Sequence, residues 1–386
     1  MMVTNRASGE SGSCNRREFL ALSAAGGMSA ALAGCGLRSG TPAPGSTSKR
    51  TKESANVSAG AAAATRAVLI RRKATVSLVS FPTLPREEPD RLNKTLANMG
   101  LHIGEAATLG SDLVAFPEIA NTHGAAEPWQ FETLDGPTIT ALSKEARRHA
   151  IYVVCPMGTF DNGKKRNSSV LLGRDGGIVG VYHKNFPTHG ELDRGIIPGT
   201  ETPVFETDFG RVGLTICFDL NYWEVGSGLC ANKAELVLWS SMWQGSRMLS
   251  KWAMEFGFYM GAIWRGGCTF VDVAGREILS INRNISDRGG SAPLVTATLD
   301  MDRRLLHHDG NVGRLKPLYE KYGTTAAYAE WLPHECLLIF GSQMKDISSD
   351  ELIEEFGLET MRDYLARVRR DRQLALKGLY KPKKNK

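Results

Sequence analysis

The 386-residue chain contains no C-x-x-C pair, no glycine loop of the phosphate-cradling kind and no internal repeat. Its cysteines stand at wide, irregular spacings, which excludes a structural zinc site built on paired thiolates. His183, His189, His307 and His308 add no metal-ligand spacing, so neither a metal nor another cofactor is expected. The weakly apolar run from Phe19 to Gly34 is too short and too rich in glycine and alanine to span a bilayer. A basic face is also missing from the body. Residues 1–73 hold 11 Lys/Arg against 3 Asp/Glu, and residues 367–386 hold 9 against 1, which leaves 27 basic and 37 acidic residues between them. An acidic body with basic ends argues against a nucleic-acid partner, and the basic C-terminal tail reads as a solvated terminus.

What is present at the N-terminus is an address. Arg16-Arg17 precede Phe19-Leu20 and an Ala-rich stretch that ends Leu32-Ala33-Gly34-Cys35, the order of an export signal. The twin arginines resemble the signal read by the twin-arginine translocase, and Leu-Ala-Gly-Cys resembles the bacterial lipoprotein box. That resemblance implies that residues 1–35 are an export signal and that Cys35 is acylated, anchoring an extracytoplasmic protein to a membrane. Residues 36–73 are mostly small and polar, a flexible tether. With Cys14 removed and Cys35 lipidated, Cys155, Cys217, Cys230, Cys268 and Cys336 remain, an odd number that leaves at least one thiol unpaired within a monomer.

From Ala74 the texture is α/β. Short apolar runs such as 74–80, 111–118, 151–157, 168–173, 177–183, 211–217, 234–240, 267–273 and 292–300 read as strands. Helix-length segments at Glu88 to Leu109, Thr138 to His149 and Leu249 to Ile263 separate several of them. No linker interrupts residues 74–346, so they are expected to form one domain. Residues 347–386 read as a helical extension with Ser348 and Ser349 as candidate N-caps, broken at Gly357 and ending in the basic tail.

Three polar residues close apolar strands: Glu118 after "LVAFP", Lys184 after "GIVGVYH" and Cys217 after "VGLTI". Strand ends in an α/β sheet hold backbones still while side chains reach a cleft. Taken singly, each residue fits a structural role: a turn carboxylate, a surface lysine, a buried thiol. Together they make a reaction site. A cation and the start of a helix at Phe218 would lower the Cys217 thiol, a carboxylate would move its proton, and Lys184 with the Phe218 N–H would receive an oxyanion.

"AFPEIA", "GVYHKNFPTHGELDRGIIPG" and "GRVGLTICFDLNYWEV", in that order, resemble the nitrilase (carbon-nitrogen hydrolase) superfamily, in its amidase and nitrilase branches. The resemblance covers roughly residues 74–310 and implies a four-layer α-β-β-α sandwich that hydrolyses non-peptide C–N bonds. It maps Glu118 to the family's general base, Lys184 to its oxyanion lysine and Cys217 to its nucleophile, with Glu191 as a second, substrate-orienting carboxylate. An amide is the expected substrate, with a nitrile or an N-carbamoyl compound as alternatives, and a non-catalytic binding lipoprotein as the alternative of another class. A homodimer or higher homo-oligomer is implied by the resemblance alone. Phe218, Tyr222, Trp223 and Trp243 are candidates for positioning substrate, and Trp223 stands where many relatives have proline. The address generates the first prediction: an alkyne fatty acid fed to expressing cells should label the wild type and not Cys35→Ala, and label that survives the substitution would overturn acylation at Cys35.

Overall fold

The computed structural model describes residues 73–80, 84–85, 87–122, 129–282 and 294–382. The export segment, Cys35 and the tether as far as Arg72 lie outside the described residues. One sheet has the order β13 (Leu294–Asp300), β1 (Lys73–Val79), β2 (Leu113–Ala115), β4 (Tyr152–Asp161), β5 (Lys164–Leu172) and β6 (Ile178–His183), with β3 (Phe131–Glu132) paired to β4. A second has the order β12 (Glu277–Asn282), β11 (Gly267–Val271), β10 (Tyr259–Trp264), β9 (Leu236–Ser240), β8 (Arg211–Ile216) and β7 (Val204–Glu206). Each is parallel at its centre, β1-β2-β4 and β8-β9-β10, and turns antiparallel toward its edges.

The period of two along each strand sorts side chains between layers. Val76, Leu78, Val154, Val212, Leu214, Ile216, Leu236 and Leu238 meet in one core between the sheets. Their neighbours face outward: Val153 and Cys155 pack under α1 (Arg91–Thr108) and α2 (Pro137–His149), while Val237 and Trp239 pack under α4 (Trp223–Ala231) and α5 (Arg247–Phe256). The helices answer with their own stripe. Leu96, Met99, Ile103 and Ala106 recur along one face of α1 and are buried. The result is the α-β-β-α sandwich expected from the resemblance.

Two departures from the sequence reading stand out. The expected helix Leu249 to Ile263 ends at Phe256, because Gly257 takes a left-handed φ of 72°, and Tyr259–Trp264 is instead the strand β10. That strand is buried on both faces, so it has no alternation to betray it. Second, no strand was expected after Asp300, yet β14 (Arg304–His307), β16 (Leu337–Ser342) and β15 (Ala327–Leu332) form a further sheet in that order. It packs with α6 (Val312–Tyr322) and α7 (Ser349–Phe356) around Leu306, Leu318, Leu338, Phe340 and Leu352. Ser348 caps α7 through Glu351, and Gly357, with φ 62°, separates it from α8 (Met361–Leu376). The basic segment is therefore an ordered helix over much of its length. No residue of α8 is fully buried, and it leans on the domain through Tyr364, stacked 3.9 Å from His307.

The short helix α3 (His189–Asp193) follows β6 and belongs to the site described next. The layered core predicts that Leu238→Ala costs about 2–5 kcal/mol in denaturant unfolding, whereas Leu101→Ala, at a position 73% exposed, stays within about 0.5 kcal/mol. Equal effects would mean that the inter-sheet core does not carry the stability.

Candidate active site

Glu118, Lys184 and Cys217 leave the C-terminal ends of β2, β6 and β8, the first two strands from one sheet and the third from the other. The sheets bring them to one buried place: the three residues are 2%, 1% and 8% exposed. Lys184 Nζ donates to Glu118 Oε1 at 2.9 Å and to Glu191 Oε1 and Oε2 at 3.0 and 2.8 Å. Glu191 reaches this point because α3 is capped. Thr188 is its N-cap, and the Glu191 carboxylate accepts the Thr188 N–H at 2.7 Å while its own N–H faces the Thr188 hydroxyl.

Burial works against the charge on Lys184, but the carboxylates of Glu118 and Glu191 more than offset it and hold the ammonium above the usual lysine range. Burial likewise works against the charge of Glu191, yet Lys184, the Thr188 N–H and Asn167 keep its carboxyl below the ordinary value. Asn167 was not singled out by sequence. Its Nδ2 donates to Glu118 Oε1 at 2.9 Å and to Glu191 Oε1 at 2.8 Å, so one amide braces both carboxylates. Among the described residues, Glu118 Oε2 has no hydrogen-bond partner. That oxygen is left uncommitted by the groups around it.

Cys217 corrects an expectation. Its thiol is not lowered but pushed up to about 12, first by burial and then by the charge of Glu118, against the pull of Lys184, the Met242 N–H and the Ser241 hydroxyl. Nor does an α-helix begin at Phe218: Cys217–Asn221 is a 3-10 turn, and α4 starts at Trp223. Cys217 itself sits at φ 47°, a strained left-handed backbone for a residue with a Cβ. Trp239 Nε1 steadies the turn by donating to the Cys217 carbonyl at 2.9 Å.

The aromatic candidates divide. Tyr222 stacks on Phe186, just beyond Lys184, with ring centroids 3.6 Å apart, and Phe218 meets Tyr222 edge-on at 5.6 Å. Trp243 follows the Ser241-Met242 segment at the Cys217 sulfur, is 36% exposed and packs edge-on against Trp239. Trp223 does not join them. Its indole N–H donates to Glu255 at 2.6 Å and Arg369 lies over its ring. All five cysteines of the described residues are free thiols, four buried and Cys336 exposed. Among the described residues, no group of three or more His, Cys, Asp or Glu could hold a metal ion.

The carbon-nitrogen hydrolase family profile matches residues 75–332, a span that contains Glu118, Asn167, Lys184, Glu191 and Cys217. The chain belongs to the carbon-nitrogen hydrolase family. Curated relatives include a hydrolase of Mycobacterium tuberculosis, 30% identical over 40% of this chain and 59% of its own length. A human omega-amidase is 28% identical over 36% of this chain and 54% of its own. The chain thus aligns with little more than half the length of these relatives. Among solved structures, an amidase from Nesterenkonia sp. has a TM-score of 0.51 at 18% identity, covering 66% of this chain and 98% of that one. Nit3 of Saccharomyces cerevisiae has a TM-score of 0.51 at 17% identity, covering 66% and 96%. At such identities the likeness of this carbon-nitrogen hydrolase to them is one of fold.

The electrostatics yield a prediction with a definite sign. Because the Glu118 charge raises the Cys217 thiol, Glu118→Gln should move its titration downward, read as ultraviolet thiolate absorbance against a Cys217→Ala background. An unmoved or raised titration would show that the Glu118 charge does not reach the sulfur.

Proposed function

We propose that the protein hydrolyses a non-peptide C–N bond, most simply that of an amide, through a thioester on Cys217. The observation that carries this reading is the charged Lys184 held between Glu118 and Glu191 beside a buried thiol. As substrate binds, Glu118 Oε2 takes the thiol proton and the sulfur attacks the carbonyl carbon. Burial and the Glu118 charge push the thiol up, which favours departure of the proton together with the attack. Lys184 Nζ and the Phe218 N–H stabilise the tetrahedral oxyanion, and Glu118 returns the proton to the departing ammonia or amine. The same carboxylate then deprotonates a water that opens the thioester, which releases the acid and restores the thiol. Glu191 and Asn167 hold Lys184 and Glu118 in place and leave one Glu118 oxygen to carry the proton.

The relatives' names support an amide as the bond attacked. A nitrile or an N-carbamoyl substrate would engage the same three groups, and the stoichiometry separates them: a nitrile consumes two waters where an amide consumes one, and a carbamoyl group yields carbon dioxide with ammonia and an amine. A non-catalytic binding lipoprotein has no use for a buried thiol, ammonium and carboxylate in mutual reach. The reading extends to a Cys35-anchored, exported protein that pairs with a second copy, supported by the signal-like N-terminus and by the family resemblance. Purified protein should release ammonia from a panel of short amides, omega-amides, nitriles and carbamoyl compounds, and Cys217→Ala should abolish release with the fold intact by circular dichroism. Turnover retained by Cys217→Ala, or no release from any panel member, would overturn the assignment.

A further inference from the structure

Lys184 and Cys217 come from different sheets, and the surface between those sheets is apolar. Apolar contact excludes water but is not directional, so by itself it does not hold a sulfur and an ammonium to a fraction of an ångström. A directional link is present. Asp219 is fully buried, 0% exposed, two residues beyond Cys217. Its Oδ2 accepts from the Tyr182 hydroxyl at 2.7 Å, the Ile216 N–H at 3.0 Å and the Thr215 hydroxyl at 3.5 Å, and its Oδ1 accepts from the Phe186 N–H at 2.8 Å. Tyr182 and Phe186 stand two residues before and two after Lys184. Thr215 and Ile216 lead directly into Cys217. One carboxylate therefore grips both sides of the lysine on one sheet and the approach to the cysteine on the other.

The same bonds act on the backbone. The Ile216 N–H to Asp219 contact closes the chain around Cys217 and holds it at φ 47°. Burial pushes the Asp219 carboxyl up to about 6, with Lys184 and its donors pulling the other way. A buried carboxylate is a poor device for stability, since an apolar residue of similar volume would cost less to desolvate. Its use here is geometric.

We propose that Asp219 is a positioning residue that registers Cys217 against Lys184 across the two sheets, with Tyr182 as its strut. The inference rests on the thioester reading above and adds to it the element that sets its geometry. Asparagine is the sharp test, because its amide has one oxygen and one NH2 where the carboxylate has two acceptors. Whichever way it turns, the NH2 faces a backbone donor, either Phe186 N–H or Ile216 N–H.

Asp219→Asn should lower kcat by about 100-fold, the scale of a misplacement near 1 Å, with KM changed only a few-fold. Tyr182→Phe, which keeps the carboxylate, should act in the same direction and less. Asp302→Asn removes another buried carboxylate, bonded to Ser349 N and Oγ at 2.9 and 2.8 Å, and should lower the melting temperature without lowering kcat. A second readout needs no substrate: the rate at which iodoacetamide alkylates Cys217 at alkaline pH. Losing a negative charge alone would lower the thiol and speed alkylation, whereas losing the register to Lys184 withdraws a cation and slows it. Slower alkylation by Asp219→Asn and Tyr182→Phe upholds the inference even if no substrate is found. Faster alkylation, wild-type kcat, or an equal loss of kcat in Asp302→Asn overturns it while leaving the thioester reading to stand on Cys217→Ala.

Discussion

A lysine ammonium closed off from water beside two carboxylates is the constraint around which the rest is arranged. Taking such ions out of water costs several kcal/mol each, and the cost is met only when their geometry is close to ideal. Lys184 meets it with three contacts of 2.8–3.0 Å to Glu118 and Glu191. The fold provides what those contacts need. β2 and β6 deliver Glu118 and Lys184 from one sheet, the capped α3 swings Glu191 back over the lysine, and Asn167 on β5 braces both acids. Water exclusion then strengthens every charge interaction within the site.

The same burial governs the thiol. In water a neighbouring cation would favour thiolate, but here desolvation and the Glu118 charge outweigh Lys184, and Cys217 stays protonated. The carboxylate that repels the thiolate is also the group to which the proposed reaction assigns its proton, so one charge bears on both. Four of the five thiols among the described residues are buried, and the same desolvation raises Cys155, Cys230 and Cys268.

Much of this was legible in the letters. Strand ends followed by Glu, Lys and Cys are a local pattern, and Ser348 and Gly357 are capping or breaking residues whose preferences act over a few positions. β10 was not legible, since "YMGAIW" is apolar throughout and a doubly buried strand reads like a helix core. Nor were Asn167 and Asp219. Each lies inside a stretch whose neighbours carry the recognisable pattern, and nothing in the composition around them says that an amide will span two carboxylates or a carboxylate two sheets. Trp223 shows the converse: a pocket candidate in the sequence, it instead meets Glu255 and Arg369.

Sequence by itself determined the layers and the chemical types of the candidate groups, because alternation, capping and side-chain chemistry are properties of short segments. Tertiary structure alone decided their protonation and their mutual placement. Both depend on how much water is excluded and on which distant charges end within a few ångströms, and those quantities come into existence only when the two separate sheets that carry β6 and β8 are packed face to face.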